Sequence, residues 1–226
     1  MNILAIETAT PACAVGIRTA SGLEVSRIAD DGRRHTEALT QAMSELLAEV
    51  GLQPRAIERV VVDRGPGLFT GLRVGIATAI AFAQALGCEL VGVTSLEVLA
   101  HGAFAAGVRG TVICCVDGRR GELFTQEFTV GDDVMSVNDA HVAPANVVTA
   151  SITNLGDSVT CTGDGVERYL DQFQALAHVV HFAQSVPPVH AALQVGATRA
   201  CEASITPLYL RDADAVANFS TRQRPS

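Results

Sequence analysis

Asp63-Arg64-Gly65-Pro66-Gly67-Leu68-Phe69-Thr70-Gly71-Leu72-Arg73-Val74-Gly75 is the stretch that decides the fold. The run Val60-Val61-Val62 before it reads as a buried strand, and the residues from Val74 to Glu89 after it carry a single charge, on the last one. Strand, glycine-rich turn and helix in this order form the repeating unit of an α/β protein. Gly65, Gly67 and Gly71 admit backbone conformations and close approaches that other residues do not, while Pro66 stiffens the turn. A helix starting near Thr70 or Gly71 would direct free N–H groups and its positive dipole end into the turn, which suits an anion. Two readings stand, an anion-binding loop and a tight strand-to-helix connection. Neither phosphate fingerprint fits, because no Lys-Ser/Thr pair follows the glycines and the spacing is not that of a dinucleotide loop.

Outward from this stretch the pattern is doubled. Upstream, Asn2–Thr8, Ala12–Arg18 and Leu23–Ala29 read as a three-stranded meander, followed by a polar loop at Asp30–Arg34. Ala38, Leu39, Ala42, Met43, Leu46, Leu47 and Val50 recur at the helical period, with Glu37, Gln41, Glu45 and Glu49 opposite. This predicts a helix over 36–50, with Thr36 as its N-cap and Gly51 as its stop. Downstream come a helix over 71–86, a strand at Leu90–Val93 and a helix capped by Thr94-Ser95 that runs to about Ala103. The order then restarts, with a strand at Thr111–Asp117, a turn at Gly118–Gly121, a returning strand at Glu122–Val130, a strand at Val159–Thr162, the turn Gly163-Asp164-Gly165 and a helix over Val166–Leu176. Two hairpin-led copies imply two similar lobes with a cleft between them: residues 1–105, then 106–217 with a last segment that can return to the first lobe, then a flexible tail at 218–226.

Composition narrows the function. Of 226 residues, 48% are apolar and 4% aromatic, with no Trp, so the core must be aliphatic. A net charge of −8 argues against this chain being the main grip on a nucleic acid. The six cysteines form no C-x-x-C pair or ligand set, and Met1–Ile6 runs straight into Glu7 with no signal peptide, which together suggest the reducing cytoplasm. The helix over 71–86 has no charged face and is too short to span a bilayer, so it must be covered on all sides. Gly75, Ala79 and Ala83, four apart, would let a second helix approach closely. The cover is a partner subunit, the helix over 36–50, or both, the two helices then forming one exposed apolar patch.

Taken in order, Ile3-Leu4-Ala5-Ile6-Glu7-Thr8-Ala9-Thr10, Arg34-His35-Thr36-Glu37, the Gly65–Gly75 stretch, Val93-Thr94-Ser95-Leu96, Val116-Asp117-Gly118-Arg119-Arg120-Gly121-Glu122-Leu123-Phe124, Gly163-Asp164-Gly165 and Pro207-Leu208-Tyr209-Leu210-Arg211 resemble the bacterial TsaB (YeaZ) family across essentially the whole chain. The resemblance implies an α/β fold of two RNase H-like lobes of the sugar-kinase/actin/Hsp70 (ASKHA) type, the second lobe reduced. It also implies a cytoplasmic, non-catalytic subunit for synthesis of N6-threonylcarbamoyladenosine (t6A) in tRNA. Its partners would be the catalytic paralogue TsaD, which transfers threonylcarbamoyl from its adenylate to the adenosine 3′ of the anticodon, and the ATPase TsaE. Contact with tRNA would come through the complex only, no membrane is involved, and the chain alone would form a homodimer.

Carried onto this sequence, the partner contact falls on helices 36–50 and 71–86, with Leu39, Met43, Leu46, Leu72, Ile76, Ala79 and Ala83 as its expected residues. Gly65, Gly67, Gly71 and Arg73 form the glycine loop. Glu7, Asp117, Gly163 and Gly165 fall where the superfamily keeps a nucleotide cleft, and they read either as its vestige or as residues satisfying their own turns. TsaD-type sequences bind a metal through two histidines four apart, whereas the matching Thr94–His101 segment has only His101; zinc-like sites need three or four converging ligands. No catalytic residue, metal or cofactor is therefore assigned to this chain, ATP and a metal being used by the rest of the complex. The alternative from another class is an independent ATP-dependent enzyme using Glu7, the Gly65–Arg73 turn, Asp117 and Gly163–Gly165.

Overall fold

The computed structural model describes residues 1–29, 35–155 and 158–211. The expected polar loop at 30–34 and the expected tail at 218–226 lie outside them. The first sheet is built from β1 (Ile3–Glu7), β2 (Cys13–Arg18), β3 (Glu24–Ala29), β4 (Arg59–Asp63) and β5 (Glu89–Val93) in the order β3-β2-β1-β4-β5. The second contains β6 (Gly110–Arg119), β7 (Glu122–Val130), β8 (Val134–Ser136), β10 (Val159–Thr162) and β11 (Val179–Phe182) in the order β11-β10-β6-β7-β8, with β9 (His141–Pro144) also on β7. In both, a hairpin leads, its first strand takes a parallel neighbour, and a second parallel strand closes the far edge. The repeat read from the sequence is thus a repeat of sheet topology, as a two-lobed ASKHA-type fold requires.

Period-two alternation decides which helix covers which face. Leu4 and Ile6 of β1 point towards α1 (His35–Glu49) and α2 (Phe69–Leu86), while Ile3 and Ala5 point to the other face, against α7 (Val189–Thr198). In the second sheet Val112, Cys114 and Val116 face Leu96, Leu99, Ala100 and Ala103 of α3 (Ser95–Ala105). Ile113 and Cys115 face α4 (Ala145–Thr153), α5 (Asp164–Arg168) and α6 (Leu170–Gln174).

The expected boundary at 105/106 therefore needs correction as a packing boundary. The apolar face of α3 lies on the second sheet. α7 and Ile205 lie on the first, where Val189, Ala192 and Leu193 join its core, before the chain crosses to the second at Leu210. Between the sheets, α3 and α7 touch each other. The return is tight. A Cβ on Gly16 of β2 would meet Val189 and Leu193 at 3.2 Å, and one on Gly196 would meet Val61 at 2.3 Å. The Arg59 guanidinium then donates to the carbonyls of Gly196 and Ala197 at 2.6 and 2.8 Å, satisfying acceptors that the end of α7 leaves open.

Local signals behave as their chemistry dictates. Gly51 and Gly87 stop α1 and α2 with positive φ, and Thr94 and Glu97 form a capping box on α3. Three expectations shift. The first helix begins at His35, so Thr36 lies inside its first turn. The second begins at Phe69 and is 18 residues long, which by length and apolarity meets the minimum for a membrane span, although one face is packed into the sheet. The single helix expected over Val166–Leu176 is two five-residue helices, broken at Tyr169 by a non-helical backbone.

Gly196→Val should lower the unfolding free energy by about 1–3 kcal/mol through overpacking against Val61, read as a reduced urea midpoint at unchanged slope.

Candidate functional site

The glycine turn is bound into the chain at every step. Asp63 ends β4, and its Oδ1 accepts from the Gly65 N–H at 2.6 Å and from the Ser95 hydroxyl at 2.9 Å. The same hydroxyl lies 2.9 Å from the Pro66 carbonyl, and the Ser95 N–H donates to Gly65 O. Gly65 sits at φ +103°, a region where a side chain is strained. Gly67 lies so close to the β1–β2 turn that a Cβ would come within 2.3 Å of the Ala9 carbonyl, which accepts from Leu68 N at 2.7 Å. Gly71 is buried and its carbonyl accepts from the Thr8 hydroxyl at 2.9 Å. These contacts are those of a tight connection. Arg73, one helical turn on, is exposed; its guanidinium stands 3.8 Å over the Phe69 ring and its Nε donates to the Tyr209 hydroxyl at 3.2 Å.

Parallel pairing of β1 with β4 sets Ile6 beside Val62 and so brings Glu7 beside Asp63, both nearly inaccessible to solvent. Glu7 Oε1 accepts from the Ala9 N–H at 2.7 Å. Burial, the neighbouring Asp63 charge and a hydrogen bond to Asp63 hold the Glu7 carboxyl well above the usual carboxylate range, and burial raises Asp63 too. Asp63 Oδ2 is buried without a hydrogen-bond partner, and the raised Glu7 carboxyl beside it, kept protonated, is the group placed to donate to the pair. Asp117 repeats the device in the second lobe. Its Oδ1 accepts from the Arg119 N–H at 2.9 Å, and its Oδ2 pairs with the guanidinium groups of Arg119 and Arg168 at 3.1 and 3.4 Å. Asp164 Oδ1 accepts from Asp117 N, with burial pushing the Asp164 carboxyl up to about 6. A Cβ on Gly163 or Gly165 would strike the Cys115 carbonyl at 2.1 or 2.9 Å, so these glycines let α5 sit on β6. All four expected cleft residues thus serve turns and packing of the chain itself. Asp63 and Ser95 complete the first-lobe cluster and were missed in the sequence, although β1 and β4 both end in a carboxylate there.

The expected partner-contact residues require a correction. Leu39, Leu46, Ile76, Ala79 and Ala83 are buried within the first lobe, between α1, α2 and the sheet, Leu72 is buried against Gly65 of the glycine turn, and Met43, though nearly buried, also reaches the outer side. Gly75 faces the sheet as well, since a Cβ there would meet the Thr8 hydroxyl at 2.2 Å. At Gly75 the small residue therefore admits the end of the first strand. What α1 and α2 leave uncovered is the outer side. There, Thr40, Met43, Ser44, Leu47, Ala48, Thr78, Ala81 and Phe82 line an open, mainly apolar groove of about 630 Å³.

Among the described residues no three His, Cys, Asp or Glu side chains converge on a metal position. His101 is half-buried in a separate cavity of about 500 Å³ beside Thr94, Glu97 and Phe128. Burial lowers its pKa, favouring the neutral ring. The nearby Glu97 is held by Arg199.

The fold and the turn define a two-lobed ASKHA-type protein, and solved structures agree. A Pseudomonas aeruginosa protein described as similar to peptidase YeaZ superposes with a TM-score of 0.80, at 24% identity, over 93% of this chain and 99% of its own. YeaZ from the same organism gives 0.74 at 24% identity, over 87% and 90%. In sequence, an uncharacterised Mycobacterium tuberculosis protein is 38% identical over 154 residues, 65% of this chain and 71% of that one. The tRNA threonylcarbamoyladenosine biosynthesis protein TsaB of Escherichia coli is 36% identical over 130 residues, 57% of this chain and 55% of its own length. The chain thus spans about half of the relatives that carry the TsaB name. The family model described as TsaD, tRNA N6-adenosine threonylcarbamoyltransferase, matches residues 29–219. The chain belongs to this family, on its TsaB (YeaZ) side.

The carboxyl pair fixes a pH dependence. A carboxyl whose folded pKa lies above its unfolded value, about 4.3 for glutamate, contributes its stability in full below that value and loses it as the pH rises through the folded one. Wild-type stability should therefore decline as the pH climbs from about 4.3 towards the raised Glu7 value. Glu7→Gln, whose amide can still donate to Asp63, should flatten that decline. Urea midpoints across this pH range check the sign.

Proposed function

We propose that this chain is a non-catalytic subunit for t6A synthesis in tRNA, docking through the outer faces of α1 and α2 onto a catalytic TsaD subunit. The observation that carries the reading is the groove between these helices. It is apolar, open and on the side that the sheet cannot cover, while the inner faces of the same helices are committed to the core. Open apolar surface of this kind marks a protein-binding site. The name of the E. coli relative supports the pathway.

In this reading the chemistry belongs to the partner. The engagement of Glu7, Asp117, Gly163 and Gly165 with their own turns and packing supports reading them as structural rather than as a working nucleotide cleft. The chain would order the catalytic subunit and complete a docking surface for the ATPase TsaE. With a net charge of −8 it would leave tRNA contact to the rest of the assembly. A cytoplasmic location and a homodimer through the same groove in the absence of the partner belong to the same proposal.

Reconstituted tRNA threonylcarbamoylation with TsaD and TsaE should need this chain, and this chain alone should give neither product nor ATP turnover; turnover by the chain alone would overturn the reading. Ala81→Glu, on the exposed rim of the groove, should keep the fold and weaken TsaD binding by about 100-fold, from burying an unpaired charge. Ala79→Glu should instead unfold the chain, because Ala79 is inside the first lobe. Calorimetric titration and circular dichroism of both variants separate these outcomes.

A further inference from the structure

Tyr209 arrives from the C-terminal strap and stacks on Phe69 of α2, with ring centroids 5.4 Å apart and planes 30° apart. Arg73 lies over the Phe69 ring and bonds to the Tyr209 hydroxyl. Both rings are 46% exposed. In a chain with ten aromatic residues, placing two half-exposed rings together with an exposed arginine is a costly use of surface. Among the described residues Arg73 makes no ion pair. The nearby Arg64 is held by Glu202 at 3.2 Å and by the Thr206 carbonyl.

The position of the cluster matters as much as its composition. Phe69 and Arg73 lie on the side of α2 that also exposes Ala77 and Ala81, and Ala81 lines the apolar groove. Ledge and groove are therefore joined by one exposed i, i+4 ridge that winds along α2. Clustered aromatic and arginine side chains are the composition of interface anchors, and a rigid ring loses little entropy on binding. A nucleic acid fits this ledge poorly. Strand-binding surfaces need several cations along a groove, and among the described residues Arg73 is the only one in the ledge.

We propose that the partner surface extends from the α1–α2 groove onto the C-terminal strap, with Phe69, Tyr209 and Arg73 forming a ledge for the same catalytic partner subunit. The partner places an apolar or planar side chain against the ring edges and a carboxylate against the Arg73 guanidinium. This inference rests on the docking proposed above and adds a segment far from those helices in sequence.

Titration of the full-length variants against TsaD tests it, with Ala81→Glu as the control for the groove. Tyr209→Ala should weaken binding about tenfold to thirtyfold, whereas Tyr209→Phe, which keeps the ring, should stay within about threefold of wild type. Arg73→Ala leaves the two rings in place and should weaken binding about tenfold while reducing its salt dependence. Hydrogen exchange over 202–208 reports whether the strap stays seated in the Tyr209 variants. Wild-type affinity in Tyr209→Ala and Arg73→Ala, with binding lost in Ala81→Glu, would overturn the ledge and leave the groove standing. Wild-type affinity in Ala81→Glu would instead remove the docking reading. A Tyr209→Ala effect confined to self-association in sedimentation would assign the ledge to a second copy and overturn the inference.

Discussion

The structure depends on how closely two turns can cross. The β1–β2 turn and the glycine turn meet where Gly67 lies against Ala9, and Leu68 donates to the Ala9 carbonyl. Only a residue without a side chain fits at 67, and only a small one fits at 9. That crossing sets the start of α2, and the start of α2 sets which of its faces meets the sheet. Gly75, lying against Thr8, continues the same close approach one turn later. A bulkier residue at any of these positions would lift α2 from β1 and open the core beneath it.

Much of the fold was legible in the sequence because it is written in strong local signals. The helical period from Ala38 to Val50 with its stop at Gly51, the β-branched run at Val60–Val62 and the cap at Thr94-Ser95 each specify an element without reference to the rest of the chain. The doubling was legible for the same reason, since each lobe opens with a hairpin. The exchange of helices between the sheets was not. Whether Leu96, Leu99 and Ala103 pack on the preceding sheet or the following one depends on contacts distant in sequence, and periodicity reports only that a face is buried.

The candidate site shows the same division. A helix apolar on all sides signals two covered faces but does not say which cover is the chain's own. Ile76, Ala79 and Ala83 are buried in the first-sheet core while Ala77 and Ala81, no larger, are exposed, so residue size alone does not tell the two faces apart. The outer groove is made of residues with weaker signals, such as Thr78 and Ala81. The Glu7–Asp63 pair was half-visible as two strands ending in carboxylates, but that they share one buried position follows only from the parallel register of β1 and β4. The stacking of Tyr209 on Phe69 joins residues 140 positions apart and left no local trace.

The strap has a mechanical consequence. It is clasped to the first lobe at Tyr209 and to the second at Arg211, whose guanidinium bonds to Gly118 O at 3.0 Å and pairs with Glu122. Two residues of extended chain reach no further than about 7 Å. The lobes therefore cannot swing apart as jaws around a ligand while both clasps hold. With α3 and α7 wedged between the sheets as well, a hinge in this molecule would have to break contacts on both of its sides. The architecture is that of a stiff bracket rather than a clamp that opens and closes.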